Sequence, residues 1–161
     1  MEKKIPISTI VFPIRNPQNP EVLLGRKLRG FGVGKPNGFG GKVKEGETIL
    51  ITASRELEEE SGLVVHQDDL EEVAIIHFFE NKELIFLCYV FVVRHWMGSE
   101  RDTEEMGSLT WFPLEQIPYQ EMWAADGMWM PIVFSGKKFN AIVIFKDGMN
   151  EIESFTWNER V

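Results

Sequence analysis

Cysteine is almost absent from this chain: Cys88 is the only one among 161 residues. No intrachain disulfide can form, and a cysteine-based zinc site is excluded. Cys88 sits in the apolar run 84–93, where a thiol reads as a small buried hydrophobe. That run falls well short of the about 20 apolar residues a membrane helix needs. The first residues, Met1-Glu2-Lys3-Lys4-Ile5-Pro6, are charged and then broken by proline, without the apolar stretch of a signal peptide. A cytoplasmic protein off the membrane is expected. Positive charge is also scarce: 17 Lys and Arg face 25 Asp and Glu, a net charge of -8. Polymeric nucleic acid is not an expected partner, because holding it requires neutralising many phosphates. A small phosphate compound stays admissible where a metal ion supplies the positive charge. Internal repeats, low-complexity tracts and linker-like segments are lacking too.

What is present suits one domain spanning residues 1–161, with 43% hydrophobic and 26% charged residues. Twelve Phe and five Trp provide both core and flat surfaces for stacking a heterocycle. Residues 7–14 and 22–27 read as strands joined by the Asn16-Pro17-Gln18-Asn19-Pro20 turn. Half of the 14 glycines fall in residues 30–46, which marks a long structured loop. A helix follows over 48–61, with Thr48 as N-cap, Gly62 as stop, and Ile49, Ala53 and Leu57 on one face. Residues 73–79 and 84–93 form a hairpin, and 109–112 a short strand. Asp126 is placed to cap a second helix ending near Ser135 and Gly136, with Pro131 near its first turn. A last hairpin, 139–145 with 152–157, turns at Asp147-Gly148. The expected class is α/β, a mixed sheet packed between two helices.

Chemistry concentrates after the glycine loop. On a helix, Glu56, Glu59 and Glu60 fall at i, i+3 and i+4 on one face, while Glu58 points away. Like charges at that spacing repel by about 0.2–0.5 kcal/mol per pair. Solvated acidic faces are common, but three carboxylates together are also what a cation would join. Mg²⁺ takes hard oxygen ligands and shares its shell with water or phosphate oxygens. A metal-bound phosphate substrate next to the glycine loop is the functional reading.

Gly41, Glu47, Arg55, Glu56, Glu59, Glu60 and Gly62, with aliphatic Leu57 and Leu63, fill the pattern G-x5-E-x7-R-E-U-x-E-E-x-G-U. Seven fixed positions at a frequency near ~0.06 each match by chance roughly once in 10⁸ starts. This pattern resembles the signature of the Nudix hydrolase superfamily, which implies an α/β/α sandwich. The resemblance implies Glu56, Glu59 and Glu60 as metal ligands, joined by the Gly40 carbonyl. Arg55 reaches Glu59 at i+4 and orients it. A G-x-G-x-x-G loop and a phosphate-loop Gly-Lys-Ser/Thr are both missing; Lys35 is followed by Pro36.

Three segments are similar to the animal-type oxidised purine nucleoside triphosphatases within that superfamily. They are the loop 30–42, Thr103-Glu104-Glu105-Met106 with Trp111-Phe112, and residues 117–131. The similarity implies a base pocket lined by Asn37, Trp123 and Asp126, with Thr9, Lys27, Phe31 and Phe78 beside it. Phe39, Gly40, Gly41 and Lys42 of the loop would also meet substrate, and Glu105 would be a further acid facing the metals. The chain departs from this group at Ala125, where a second aspartate precedes Asp126 in the animal-type enzymes. It also has extra residues at 16–20 and 66–69. The implied activity is Mg²⁺-dependent (or Mn²⁺-dependent) hydrolysis of oxidised purine nucleoside triphosphates such as 8-oxo-dGTP to monophosphate and diphosphate. This would sanitise the nucleotide pool in support of DNA repair. Glu56 or Glu60 would serve as general base, in a monomer with a small nucleotide as its partner. Two other readings stand beside it: a Nudix hydrolase of an ADP-sugar or dinucleotide, and a non-catalytic nucleotide-binding domain.

Overall fold

The computed structural model describes residues 4–161; the charged start, residues 1–3, lies outside the described residues. Eight strands form a mixed sheet: β1 (Ile7–Arg15), β2 (Glu21–Lys27), β3 (Pro36–Asn37), β4 (Glu71–Glu80), β5 (Glu83–Val93), β6 (Met106–Pro113), β7 (Phe139–Phe145) and β8 (Ile152–Glu159). The order is β3-β2-β1-β5-β4-β7-β8, with β6 on β2. β1 runs parallel to β5 and β4 parallel to β7; the other pairings are antiparallel. Two helices, α1 (Ile49–Ser61) and α2 (Asp126–Phe134), lie on opposite faces. None of the described helices is long and apolar enough to cross a membrane.

Strand alternation builds the two faces. Ile10, Phe12 and Ile14 pack with Val90 and Val92 under Trp129, Met130 and Val133 of α2. Val11 points the other way and joins Phe91 and Val93 under Ala53 and Leu57 of α1. Both helices thus rest on the same two strands from opposite sides, and α1 brings its acidic turn against the sheet.

The first hairpin holds its strands together only at the turn, through Ile14 with Val22 and Arg15 with Glu21. Beyond that β2 diverges to pair with β3 and β6, which leaves one edge of β1 open. The glycine loop fills that edge. Val11 N donates to the Phe39 carbonyl at 2.7 Å, Thr9 N to Gly41 at 2.9 Å, and Val43 N to Ile7 at 2.8 Å. This pairing needs Gly40: a Cβ there would stand 1.8 Å from the Thr9 carbonyl oxygen.

The start of α1 agrees with expectation, since Thr48 Oγ1 accepts from Ile51 N. Gly62 ends the helix at φ 82°, the left-handed cap that favours glycine. Three expectations need correction. Asp126 does not cap α2; it is the first helical residue, and its carboxylate turns back to accept from Trp123 N at 3.1 Å. Pro131 is not in the first turn but inside the helix. The strand expected over 109–112 extends over the whole of β6, because its partner β2 offers a long edge.

Candidate active site

Glu60 is almost fully buried at the end of α1, and its Oε1 accepts from Gly40 N at 2.8 Å. Burial pushes its carboxyl up to about 8, aided by the negative Glu56 and Glu105, while the Gly40 N–H and Lys27 oppose the rise. Burial also raises Glu56, against the pull of Arg55. Glu105 arrives from the segment before β6. Thr103 holds that segment on the helix end: its hydroxyl donates to the Glu60 carbonyl at 3.1 Å and accepts from Glu105 N and Met106 N. Carboxylate oxygens of Glu56, Glu60 and Glu105 all lie within 4.8 Å of one another. Three acids this close favour a bound cation, and their hard oxygens suit a divalent ion of the Mg²⁺ class.

Glu59 stands apart from this triple. Its side chain is 49% exposed and accepts from Arg55 at 3.2 Å, the contact expected at i+4. Arg55 also donates to Glu56 at 2.9 Å and grips Glu47 with two bonds. Those bonds, led by the guanidinium contact, hold the Glu47 carboxyl down at about 2. One arginine therefore fixes the loop acid and two helix acids.

A cavity of about 500 Å³ opens beside Glu60. Gly40, Gly41, Lys42, Lys27 and Glu60 line its acidic end. Thr9, bonded to Gly41, also lines the wall at that end, and the far end, between the sheet and α2, is walled by Asn37, Phe78, Trp123, Asp126 and Trp129, with Phe31 at Trp123. Phe31 stacks on Trp123 with centroids 4.7 Å apart, and Lys35 Nζ lies 4.9 Å from the same ring. Asn37 accepts from Gly38 N through Oδ1, so its NH₂ group stays available as a donor. Asp126 is 8% exposed, and burial pushes its carboxyl up to about 7, opposed by the Trp123 N–H, Trp129 and Lys35.

Of the residues expected to meet substrate, Phe39 is not on the cavity wall. It is fully buried between β1 and α1, where its backbone pairs with Val11. Conversely, Cys88, Phe86 and Trp129 line the cavity without having been expected there. In an apolar strand or helix such residues carry no sequence mark separating core from cavity wall. Cys88 is buried, and burial pushes its thiol up to about 12, so it acts as apolar wall.

A family profile described as NUDIX domain matches residues 4–131. The chain belongs to the Nudix family. It is 43% identical over 146 residues to the oxidized purine nucleoside triphosphate hydrolase of Mus musculus, covering 86% of this chain and 92% of the mouse protein. It is 44% identical over 123 residues to the protein of the same name from Danio rerio, covering 76% of this chain and 77% of that one. Among solved structures, a MutT protein from Bacillus halodurans superposes with a TM-score of 0.75 at 21% identity, over 96% of this chain and 98% of that one. That likeness is one of fold. Nudix hydrolases generally use divalent metals, and the oxygen triple of this chain is suited to one.

Proposed function

We propose that this chain is a Mg²⁺-dependent diphosphatase of purine nucleoside triphosphates, oxidised purines such as 8-oxo-dGTP included. The observation that carries the reading is one cavity that runs from Glu60, a member of the Glu56, Glu60 and Glu105 triple, to an aromatic pocket with one carboxyl, Asp126. The names of the mouse and zebrafish relatives support the substrate class.

Glu56, Glu60 and Glu105, with the Gly40 carbonyl, would hold the metal. When bound, a divalent ion of this kind polarises phosphoryl oxygens and acidifies a water. The chain supplies the rest. Arg55 fixes Glu47, Glu56 and Glu59. Lys27 and Lys42 line the phosphate end, and Gly40 and Gly41 let backbone approach it. A glutamate of the cluster accepts the proton of the attacking water. The water oxygen bonds to phosphorus, the bridging P–O bond breaks, and monophosphate and diphosphate leave. Trp123, Asn37 and Asp126 seat the base. One chain walls the cavity, consistent with a monomer acting on free nucleotides in the cytoplasm and clearing oxidised purines before a polymerase incorporates them.

The test is product analysis with Mg²⁺, and separately Mn²⁺, across 8-oxo-dGTP, dGTP, dATP, a pyrimidine triphosphate, an ADP-sugar and a dinucleotide. Diphosphate release from purine triphosphates is expected, with the oxidised base preferred. Turnover confined to the ADP-sugar or the dinucleotide would replace this substrate assignment. Binding of nucleotide without turnover of any would make the chain a non-catalytic binder.

A further inference from the structure

The Trp129 indole is 3% exposed, lines the far end of the cavity, and its N–H is buried without a hydrogen-bond partner. A buried donor left unmade is costly, so native structures rarely keep one without reason. The helix explains why this one is free. Trp129 N bonds to the Ala125 carbonyl at 3.3 Å, which sets residue 125 one turn before the indole on the same side of α2. Residue 125 offers only a methyl group. The nearest carboxyl, Asp126, is close enough for the N–H to favour its charged form, yet the two do not meet hydrogen-bond geometry. The far wall thus presents an acceptor, Asp126, beside an unused donor, Trp129.

Resting on the nucleotide reading above, we infer that Trp129 is a specificity-determining donor: its indole N–H reads the carbonyl of a purine lactam while Asp126 accepts the neighbouring N–H. A lactam edge sets N–H next to C=O and so complements a carboxylate beside a donor. Guanine and hypoxanthine carry this edge at N1–H and C6=O. A purine oxidised at C8 carries it at N7–H and C8=O, so 8-oxoguanine carries it twice. Adenine also sets an N–H, at N6, beside an acceptor, N1 or N7, whereas unsubstituted purine carries no N–H on either edge and so offers no such pair. A site that buries a donor for one substrate group discriminates against bases lacking that group.

The experiment measures kcat and KM for dITP, with the C6 lactam, 8-oxo-dATP, with the C8 lactam, and the triphosphate of unsubstituted purine deoxyriboside, with neither a lactam nor an amino group. It uses the parent and two variants. Trp129→Phe removes the N–H and keeps a ring. Ala125→Asp keeps the indole but gives its N–H an acceptor one turn away. Both variants should reduce preference for a lactam substrate over the unsubstituted purine by about three- to tenfold, the worth of one neutral hydrogen bond, with the loss in KM. Loss against dITP alone assigns the C6 edge; loss against 8-oxo-dATP alone assigns the C8 edge. Equal shifts for all three substrates in both variants would overturn the inference and leave Trp129 as wall only. A parent that turns over none of the three sinks the nucleotide reading itself, a result distinct from unchanged ratios.

Discussion

Arg55 and Glu47, eight residues apart, are locked together by two hydrogen bonds, Nε to Oε2 at 2.6 Å and Nη2 to Oε1 at 2.9 Å. Thr52 Oγ1 and Lys44 N add bonds to the same carboxylate. Glu47 therefore serves as an anchor: it fixes the guanidinium that in turn holds Glu56 and Glu59.

Lysine cannot reproduce that fork, since it presents a point charge in place of a planar array of donors. Arg55→Lys should lower kcat/KM by roughly 10–100-fold, the usual effect of losing a partner that orients metal ligands. Glu47→Gln should give a loss of the same kind, and the double variant should cost little more than either single one. Full additivity in the kcat/KM values would show that the two residues act separately.

The three helix glutamates should not be equivalent. Glu60 and Glu56 belong to the oxygen triple, whereas Glu59 lies half in solvent on Arg55. Glu60→Gln and Glu56→Gln should each reduce turnover by about 10²-fold or more if general-base function is lost. Each should also weaken Mn²⁺ binding, followed by paramagnetic relaxation or calorimetry. Glu59→Gln should lose about fivefold or less, the scale of an exposed ion pair. Equal losses in Mn²⁺ affinity for all three would place Glu59 in the first coordination sphere.

That ranking also shows where sequence spacing stops being informative. Positions i+3 and i+4 share a face of a helix, but only the turn that abuts the sheet and the Gly40 loop buries its carboxylate. Glu60 meets that loop and Glu59 does not. The limits of α1 were legible because Thr48 and Gly62 are local signals. The role of Asp126 was harder to read, since a carboxylate at a helix start suits a cap, whereas here it bonds back to Trp123. Phe39 is implied as a substrate contact by the resemblance of the loop 30–42 in which it lies. Pairing with Val11 turns it into the core instead. Trp129 gave no signal at all, because an aromatic residue in an apolar helix reads as packing.

The two adjacent glycines should fail in different ways. A Cβ on Gly40 meets backbone, the Thr9 carbonyl oxygen at 1.8 Å, and nothing there can yield. Gly40→Ala should therefore break the loop from β1 and destabilise the fold by at least about 1–3 kcal/mol, the range for overpacking. A Cβ on Gly41 meets the Glu56 carboxylate at 2.6 Å, the end of a side chain that can rotate. Gly41→Ala should fold with a nearly unchanged Tm and lose activity because Glu56 is displaced. A Gly41→Ala variant with parental kcat would show that the Glu56 position is not critical.

Asp126 gives a pH signature separate from the metal site. Its carboxyl is raised from the ordinary 3.8 to about 7, chiefly by burial, with Trp123 N–H, Trp129 and Lys35 pulling the other way. Tyr119 and Cys88 face the same carboxylate, and both titrate far above it, at about 12. A raised acid binds its proton more tightly when folded than when unfolded. Its contribution to stability is therefore full below about pH 4 and is lost as pH rises to about 7, with no further loss above that. Asn mimics the neutral acid and does not titrate. Asp126→Asn should match the parent in Tm near pH 4.5 and exceed it increasingly toward pH 7, by a few kcal/mol or several degrees at the plateau. The same variant should bind purine triphosphates more weakly at pH 8, because it no longer offers a carboxylate to a base N–H. Thermal melts of both proteins at half-unit steps from pH 4.5 to 8.5 check the stability arm. A Tm difference that stays flat across that range would mean the folded Asp126 carboxyl keeps its ordinary pKa, and that the far end of the cavity is wetter than its burial implies.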